Sequence, residues 1–77
     1  MDENEMKAEL QNLRLQWRHA RGLKLSRKQE LLSQGMEIAG VRHDRDYKNH
    51  KKTQHNLATL IRHLECRLNK KRARSEV

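Results

Sequence analysis

The amino-acid sequence predicts an all-α protein of two or three helices, arranged as a helical hairpin or a small bundle. The chain contains no proline and only three glycines in 77 residues. No segment alternates apolar and polar residues with the period of two that a half-buried strand requires. Apolar residues instead recur at steps of three and four, which places them on one face of a helix. The length fits a single small domain over residues 1–77.

The first predicted helix covers about residues 3–21 and has the spacing of a two-helix packing seam. Its apolar residues recur at steps of four, three and four, at Met6, Leu10, Leu13 and Trp17. This heptad-like spacing is typical of helices that pair in a coiled coil. We therefore expect the chain to dimerise through this seam. Gly22 is predicted to end the helix, since glycine is common just past helix C-termini.

A second helix is predicted over about residues 27–40, with an extension to residue 48 left open. Ser26 and Gln29 have the spacing of a capping box, in which two side chains satisfy free backbone N–H groups at a helix start. Arg27 and Lys28 would then lie in the first turn, where cations oppose the helix dipole. This arrangement suits a phosphate held by backbone N–H groups and cations together. An ordinary N-cap beside surface charges is the alternative interpretation.

The third predicted helix covers about residues 56–72 and combines an apolar face with a basic row. The preceding residues 42–56 have Tyr47 as their only apolar member, and the sequence is compatible with helix or loop there. The apolar face, predicted to pack against a partner helix, contains Leu57, Ile61, Leu64 and Leu68. The neighbouring row, at steps of four, three and four, contains His63, Arg67, Lys70 and Arg74. A frayed basic tail is expected over residues 70–77.

The charge of the chain indicates the kind of partner that it binds. The formal net charge is +8 and the sequence pI is about 10.3. Such a balance favours anionic partners such as DNA, RNA or an acidic protein surface. Leu, Ile and Val account for only 15 of the 77 residues, and a chain of this size rarely buries a core worth more than about 3–5 kcal/mol. A second copy of the chain is therefore expected as a further partner.

Rows of basic residues on the first and last helices predict a non-enzymatic nucleic-acid-binding protein, a small basic regulator or accessory factor. Arginine presents a planar fork of donors that suits phosphate oxygens, and helical steps of three and four place such donors in a line. DNA and RNA are both left open. The alternative is that the charges only solvate amphipathic helices. The residues predicted to contact phosphates are Arg14, Arg18, Arg21, Arg27, Lys28, His63, Arg67, Lys70 and Arg74.

A second hypothesis belongs to another class of function. The chain would be a small helical adaptor or inhibitor that docks its apolar seam and basic face on a larger acidic protein. The two hypotheses predict different mutants. Replacing Arg67 and Arg74 by alanine should abolish nucleic-acid binding, whereas replacing Leu10 and Leu13 by alanine should destroy the adaptor.

The sequence gives no support for an enzyme, a metal site or a cofactor. His63 and Cys66 share a helix face, but two ligands do not make a zinc site. No nucleophile has a base and an orienting group at a useful spacing. The single cysteine, Cys66, excludes an internal disulfide and fits a reducing compartment. A cytoplasmic location is expected, with the nucleus or nucleoid as alternatives, and no stretch is apolar and long enough to span a membrane.

Overall fold

The computed structural model describes residues 2–75, with side chains over residues 2–70, and forms an antiparallel helical hairpin. Helix α1 covers Glu3–Ser33, the short helix α2 covers Ile38–His43, and α3 covers Arg45–Ser75. The two long helices pack against each other, and α2 contacts both of them at the turn. No strand occurs among residues 2–75. The prediction of an all-α fold is therefore confirmed, and the chain forms a rod of about 58 × 18 × 15 Å.

The two long helices meet along a seam with coiled-coil spacing, in which every position is buried or half-buried. The seam positions follow one another at steps of four and three, as expected for helices that wind around each other. On α1 they are Met6, Leu10, Leu13, Trp17, Ala20, Lys24, Arg27 and Leu31. On α3 they are Tyr47, His50, Gln54, Leu57, Ile61, Leu64 and Leu68. The seam is thus apolar toward the chain termini and largely polar toward the turn.

The hydrophobic core occupies the apolar half of this seam. Its buried residues are Met6, Leu10, Leu13, Leu64 and Leu68, and Leu57 and Ile61 pack against them. The residues that the sequence assigns to a dimer seam are therefore covered by α3 of the same chain. Two hydrophobic seams within one chain have satisfied each other, so the closed hairpin leaves Leu10 and Leu13 no free surface for a second copy.

Helix α1 does not end at Gly22, and this prediction is wrong. The helix continues for eleven residues to Ser33. A glycine inside a helix costs only about 1 kcal/mol relative to alanine, which packing of Ala20 and Leu31 on either side can offset. Ser26 is consequently an exposed residue within a helix and not the N-cap of a new one. The predicted helix over residues 27–40 is replaced by the end of α1, a turn and the start of α2.

The first long helix ends at Gly35, where the backbone turns left-handed. Gly35 has a φ of +90°, a conformation that a side chain makes unfavourable. The Gly35 N–H donates to the Leu32 carbonyl at 3.0 Å, and the Met36 N–H donates to the Leu31 carbonyl at 3.1 Å. This pair of hydrogen bonds is the Schellman motif that commonly closes helix C-termini. The chain then reverses through α2, whose Val41 is 2% exposed.

Helix α3 begins at Arg45, about eleven residues before the predicted start at residue 56. The Asp44 carboxylate accepts a hydrogen bond from the Tyr47 N–H at 3.0 Å, as an N-cap residue does. The undecided stretch 42–56 is therefore mostly helical. No helix within residues 2–75 contains a segment long and apolar enough to cross a bilayer.

Candidate nucleic-acid interface

The predicted arginine row of α1 lies along one edge of the interface with α3. Arg14 and Arg18 both line a groove between the two helices. The Arg14 Nη2 atom donates to Glu65 Oε1 across that groove at 3.0 Å. Arg21, one turn further along, places its guanidinium carbon 5.8 Å from the centre of the Trp17 ring. All three arginines are exposed, so each can also reach a ligand.

The predicted basic row of α3 lies on the other side of the hairpin. His63 and Arg67 are each two residues from Glu65, which corresponds to about 160° around a helix. Because Glu65 faces Arg14, His63 and Arg67 face away from the α1 row. The two predicted rows therefore do not merge into one flat basic face. His63, Arg67 and Lys70 are exposed, and the side chain of Arg74 lies outside the described residues.

Arg27 belongs to a cluster of charges that joins the two long helices at the turn. Its Nε and Nη2 atoms donate to the two carboxylate oxygens of Asp44 at 3.0 and 3.1 Å. Glu30 lies 3.3 Å from its Nη1 atom, and Asp46 lies 3.9 Å from its Nε atom. The forked contact raises the pKa of Arg27 above its ordinary value and lowers the pKa of Asp44. The predicted phosphate-binding residue Arg27 thus already holds a carboxylate.

The predicted phosphate cradle at Ser26, Arg27 and Lys28 is wrong because no helix begins there. Residues 26–28 lie inside α1, so their backbone N–H groups are used in intrahelical hydrogen bonds. Lys28 is half-buried beside Arg27. It contributes charge to the surface, without the free N–H groups that the cradle requires.

A basic row that the sequence prediction does not contain runs along the outer face of α3. Its members are exposed and stand at helical steps, opposite the seam positions. We call this the outer row, and it consists of Lys48, Lys52, His55 and Arg62. The steps of four, three and seven are visible in the sequence. They gain meaning only once residues 45–56 are known to be helical.

The hairpin places the outer row beside the acid-free part of α1. The ion pairs Arg14–Glu65 and Arg27–Asp44 lie toward opposite ends of the rod. Between them, residues 15–26 of α1 contain no acid, and residues 47–64 of α3 contain none either. We call these two segments together the basic band. Its lysines and arginines are Arg18, Arg21, Lys24, Lys48, Lys51, Lys52 and Arg62, and its histidines are His19, His50, His55 and His63.

Two grooves flank the interface between α1 and α3. The larger groove, of about 660 Å³, is polar and cationic, and we call it the amide groove because it contains Gln11 and Asn69. The smaller groove, of about 400 Å³, lies around Ala20, Leu23 and Leu57, with His19 and His50 at its edges. The hairpin therefore offers a charged surface and an apolar surface on the same rod.

Within residues 2–75, no group of three or more His, Cys, Asp or Glu side chains is arranged to hold a metal ion. Cys66 is exposed and lines a shallow concavity on α3. Comparison of the chain with protein-family models, with curated proteins and with solved structures gives no match.

Proposed function

We propose that the protein is a non-enzymatic nucleic-acid-binding protein that contacts phosphates through the basic band. The observation that carries the proposal is the acid-free stretch of the rod between its two inter-helix ion pairs. Residues 47–64 span roughly 27 Å at 1.5 Å per residue, and no carboxylate in that segment offsets the cations of the outer row. A long acid-free cationic surface is the electrostatic footprint of a phosphate-binding protein.

The arrangement favours positioning on a backbone more than reading of a base sequence. Lysine and arginine contacts to phosphates fix the register of a protein on nucleic acid but carry no sequence information. The band is supported by two rigid helices, so its cations are held in rows. We infer that the protein acts as a small regulator or accessory factor in a compartment that contains DNA or RNA.

Two variants of equal charge test this proposal. Lys48→Gln with Lys52→Gln removes two cations from the band, and Arg42→Gln with Arg45→Gln removes two from the turn. In fluorescence anisotropy at about 100 mM salt, the band variant should bind a labelled duplex or RNA hairpin about tenfold more weakly. Its log–log salt slope should fall by about two, at 0.9 per lost contact on a duplex.

The turn variant is the matched control, because it has the same net charge and affects exposed side chains as well. Its affinity should stay within about twofold of the wild type. Equal losses for both variants would mean that net charge, and not the band, determines binding. Circular dichroism of all three proteins would verify that each retains its helices.

The proposal includes self-association only in a form that exchanges helices. Met6, Leu10 and Leu13 pack on α3 of the same chain in the closed hairpin. A dimer through this seam would require the hairpin to open, so that α1 of one copy packs on α3 of the other with the same contacts. Such domain swapping is a common route to homodimers. A mass measurement by light scattering across protein concentrations would detect it.

The second candidate function, an adaptor for a larger acidic protein, is favoured by a different surface. Leu23 is 41% exposed and lines the smaller groove, and Leu60 is 52% exposed. Apolar surface next to cations suits docking on an acidic protein. If Leu23→Gln left nucleic-acid binding intact but abolished a cellular phenotype of the protein, the adaptor role would be favoured.

A further inference from the structure

The amide groove has a chemistry that the basic band does not have. It brings together one side-chain amide from each long helix, Gln11 from α1 and Asn69 from α3. Each amide carries both donors and an acceptor, and both residues are exposed. Such groups read the edges of nucleic-acid bases, whereas lysines contact phosphates without regard to sequence. The groove therefore offers hydrogen bonds that could distinguish one base from another.

The floor of the amide groove is apolar. Leu10 and Leu68, 6% and 5% exposed, close it where the two helices touch. Leu15 stands at its edge between Arg14 and Arg18 and is 57% exposed, so most of its side chain lacks a packing partner. A base has two apolar faces and polar edges. The groove volume of about 660 Å³ is within the roughly 300–1,000 Å³ usual for small-molecule sites.

Cations stand on both sides of the two amides. Lys7 and Arg18 lie on the α1 side of the amide groove. On the α3 side, a neighbouring concavity contains Arg62 and Lys70 and shares Asn69 with the groove. A strand that crossed the hairpin here would find a cation before and after the position of the amides. A free mononucleotide would use only one of these two sides.

We propose that the amide groove binds one unstacked nucleotide of a single strand, with the base against the leucine floor and its edge on Gln11 and Asn69. The phosphate groups on either side would contact Arg18 and Arg62. The Glu65 carboxylate, held by Arg14 at 3.0 Å, is placed to accept a hydrogen bond from an exocyclic amino group. This inference rests on the proposed function and adds base preference to it.

The test compares three labelled RNA decamers, of A, C and U, with a mixed-sequence duplex. The wild type should prefer one decamer over the worst by about tenfold, the scale of a base contact with two hydrogen bonds. Gln11→Ala with Asn69→Ala should reduce that difference to about twofold and leave duplex binding unchanged. Alanine favours the helix at both positions, so the variant should remain folded.

Asn12→Ala with Asn49→Ala is the matched control. It removes two exposed amides, one from each long helix, and neither residue lines the groove. This variant should retain the preference among decamers. A wild type that binds all decamers equally, or an amide-groove variant that keeps the preference, would overturn the inference while leaving the duplex result, and the proposed function, intact. Absence of binding to every probe would overturn both.

Cys66 supplies a second readout. Its exposed thiol lines the concavity next to the groove, so a strand lying across Asn69 should slow its reaction with an aromatic disulfide reagent. The preferred decamer at saturation should protect the thiol. A thiol that reacts at the same rate in free and saturated protein would contradict the proposed path of the strand.

Discussion

Gly22 and Gly35 differ in their backbone conformation, and this difference separates a tolerated glycine from a required one. Gly22 lies within α1, where an added Cβ would meet no atom within 4 Å. Gly35 ends the helix with a φ of +90°. From the sequence alone both glycines are candidate helix ends, because glycine favours helix C-termini. Only the fold determines which of them turns the chain.

The two glycines should therefore respond oppositely to alanine. Gly22→Ala should stabilise the hairpin by about 0.5–1 kcal/mol, since alanine restricts the unfolded chain and favours the helix. Gly35→Ala should destabilise it by about 1–2 kcal/mol, the cost of a left-handed backbone for a residue with a Cβ. Urea unfolding followed by circular dichroism measures both changes. A loss of stability in Gly22→Ala would mean that α1 is broken at that residue.

Arg27 and Asp44 make the stability of the turn depend on pH. The Asp44 pKa is lowered, first by the hydrogen bond from Arg27 and then by the one from the Tyr47 N–H. A carboxylate with a lowered pKa in the folded state stabilises the fold above its unfolded pKa, and this contribution disappears as the pH falls through the folded pKa. Arg27 stays protonated throughout, while Glu30 and Asp46 beside it also titrate in acid.

Asp44→Asn should isolate the charge of this contact, because asparagine is also a good N-cap. The variant should melt at a lower temperature than the wild type at pH 7. The difference should narrow once the pH falls below the ordinary aspartate pKa of 3.8, and vanish as Asp44 of the wild type is protonated. Asp46→Asn, at an exposed site 3.9 Å from Arg27, is the control and should have a smaller effect. A difference that persists unchanged in acid would contradict this role of Asp44.

At the scale of the helices, the two halves of the seam are unequally predictable. The apolar half could be predicted because Leu, Ile or Met occupies nearly every contact position. The spacing of four and three continues toward the turn, but there the seam positions hold Lys24, Arg27, His50 and Gln54. These residues give no hydrophobic signal. The pairing of Arg27 with Asp44 depends on how the chain reverses, which no local pattern specifies.

The extent of α3 was within reach of the sequence. Asp44 is a good N-cap residue, and Asp46 in the first turn suits the positive end of the helix dipole. The prediction of a later start followed from the absence of apolar residues over 42–56. A long helix needs few apolar residues when only one narrow stripe of it packs, as Tyr47, His50 and Gln54 do here.

The unequal seam predicts that stability is concentrated in its apolar half. Leu64→Ala should destabilise the protein by about 2–5 kcal/mol, because Leu64 is 7% exposed within the core. Leu60→Ala, on the same helix but 52% exposed, should change the free energy of unfolding by less than about 0.5 kcal/mol. Comparable effects of the two substitutions in urea unfolding would contradict the assignment of the seam.

At the scale of the whole molecule, the hairpin converts two separate charge patterns into one surface. The sequence predicts basic rows on two helices. It does not predict that the α1 row faces Glu65 while His63 and Arg67 face away, since that depends on the rotation of each helix about its axis. The acidic residues gather near the ends of the rod, and the cations of the basic band occupy its middle.

The central claim is that rows of cations on this rod bind phosphates, and the salt dependence of binding tests it most directly. Fluorescence anisotropy would be measured with a random duplex, an RNA hairpin and a single strand, each at about 50 and 200 mM salt. If six phosphates of a duplex are contacted, the log–log slope should be near −5 and the affinity should fall by about 10³. Weak binding to all three probes at 50 mM salt, or a slope near zero, would contradict phosphate binding and favour the adaptor.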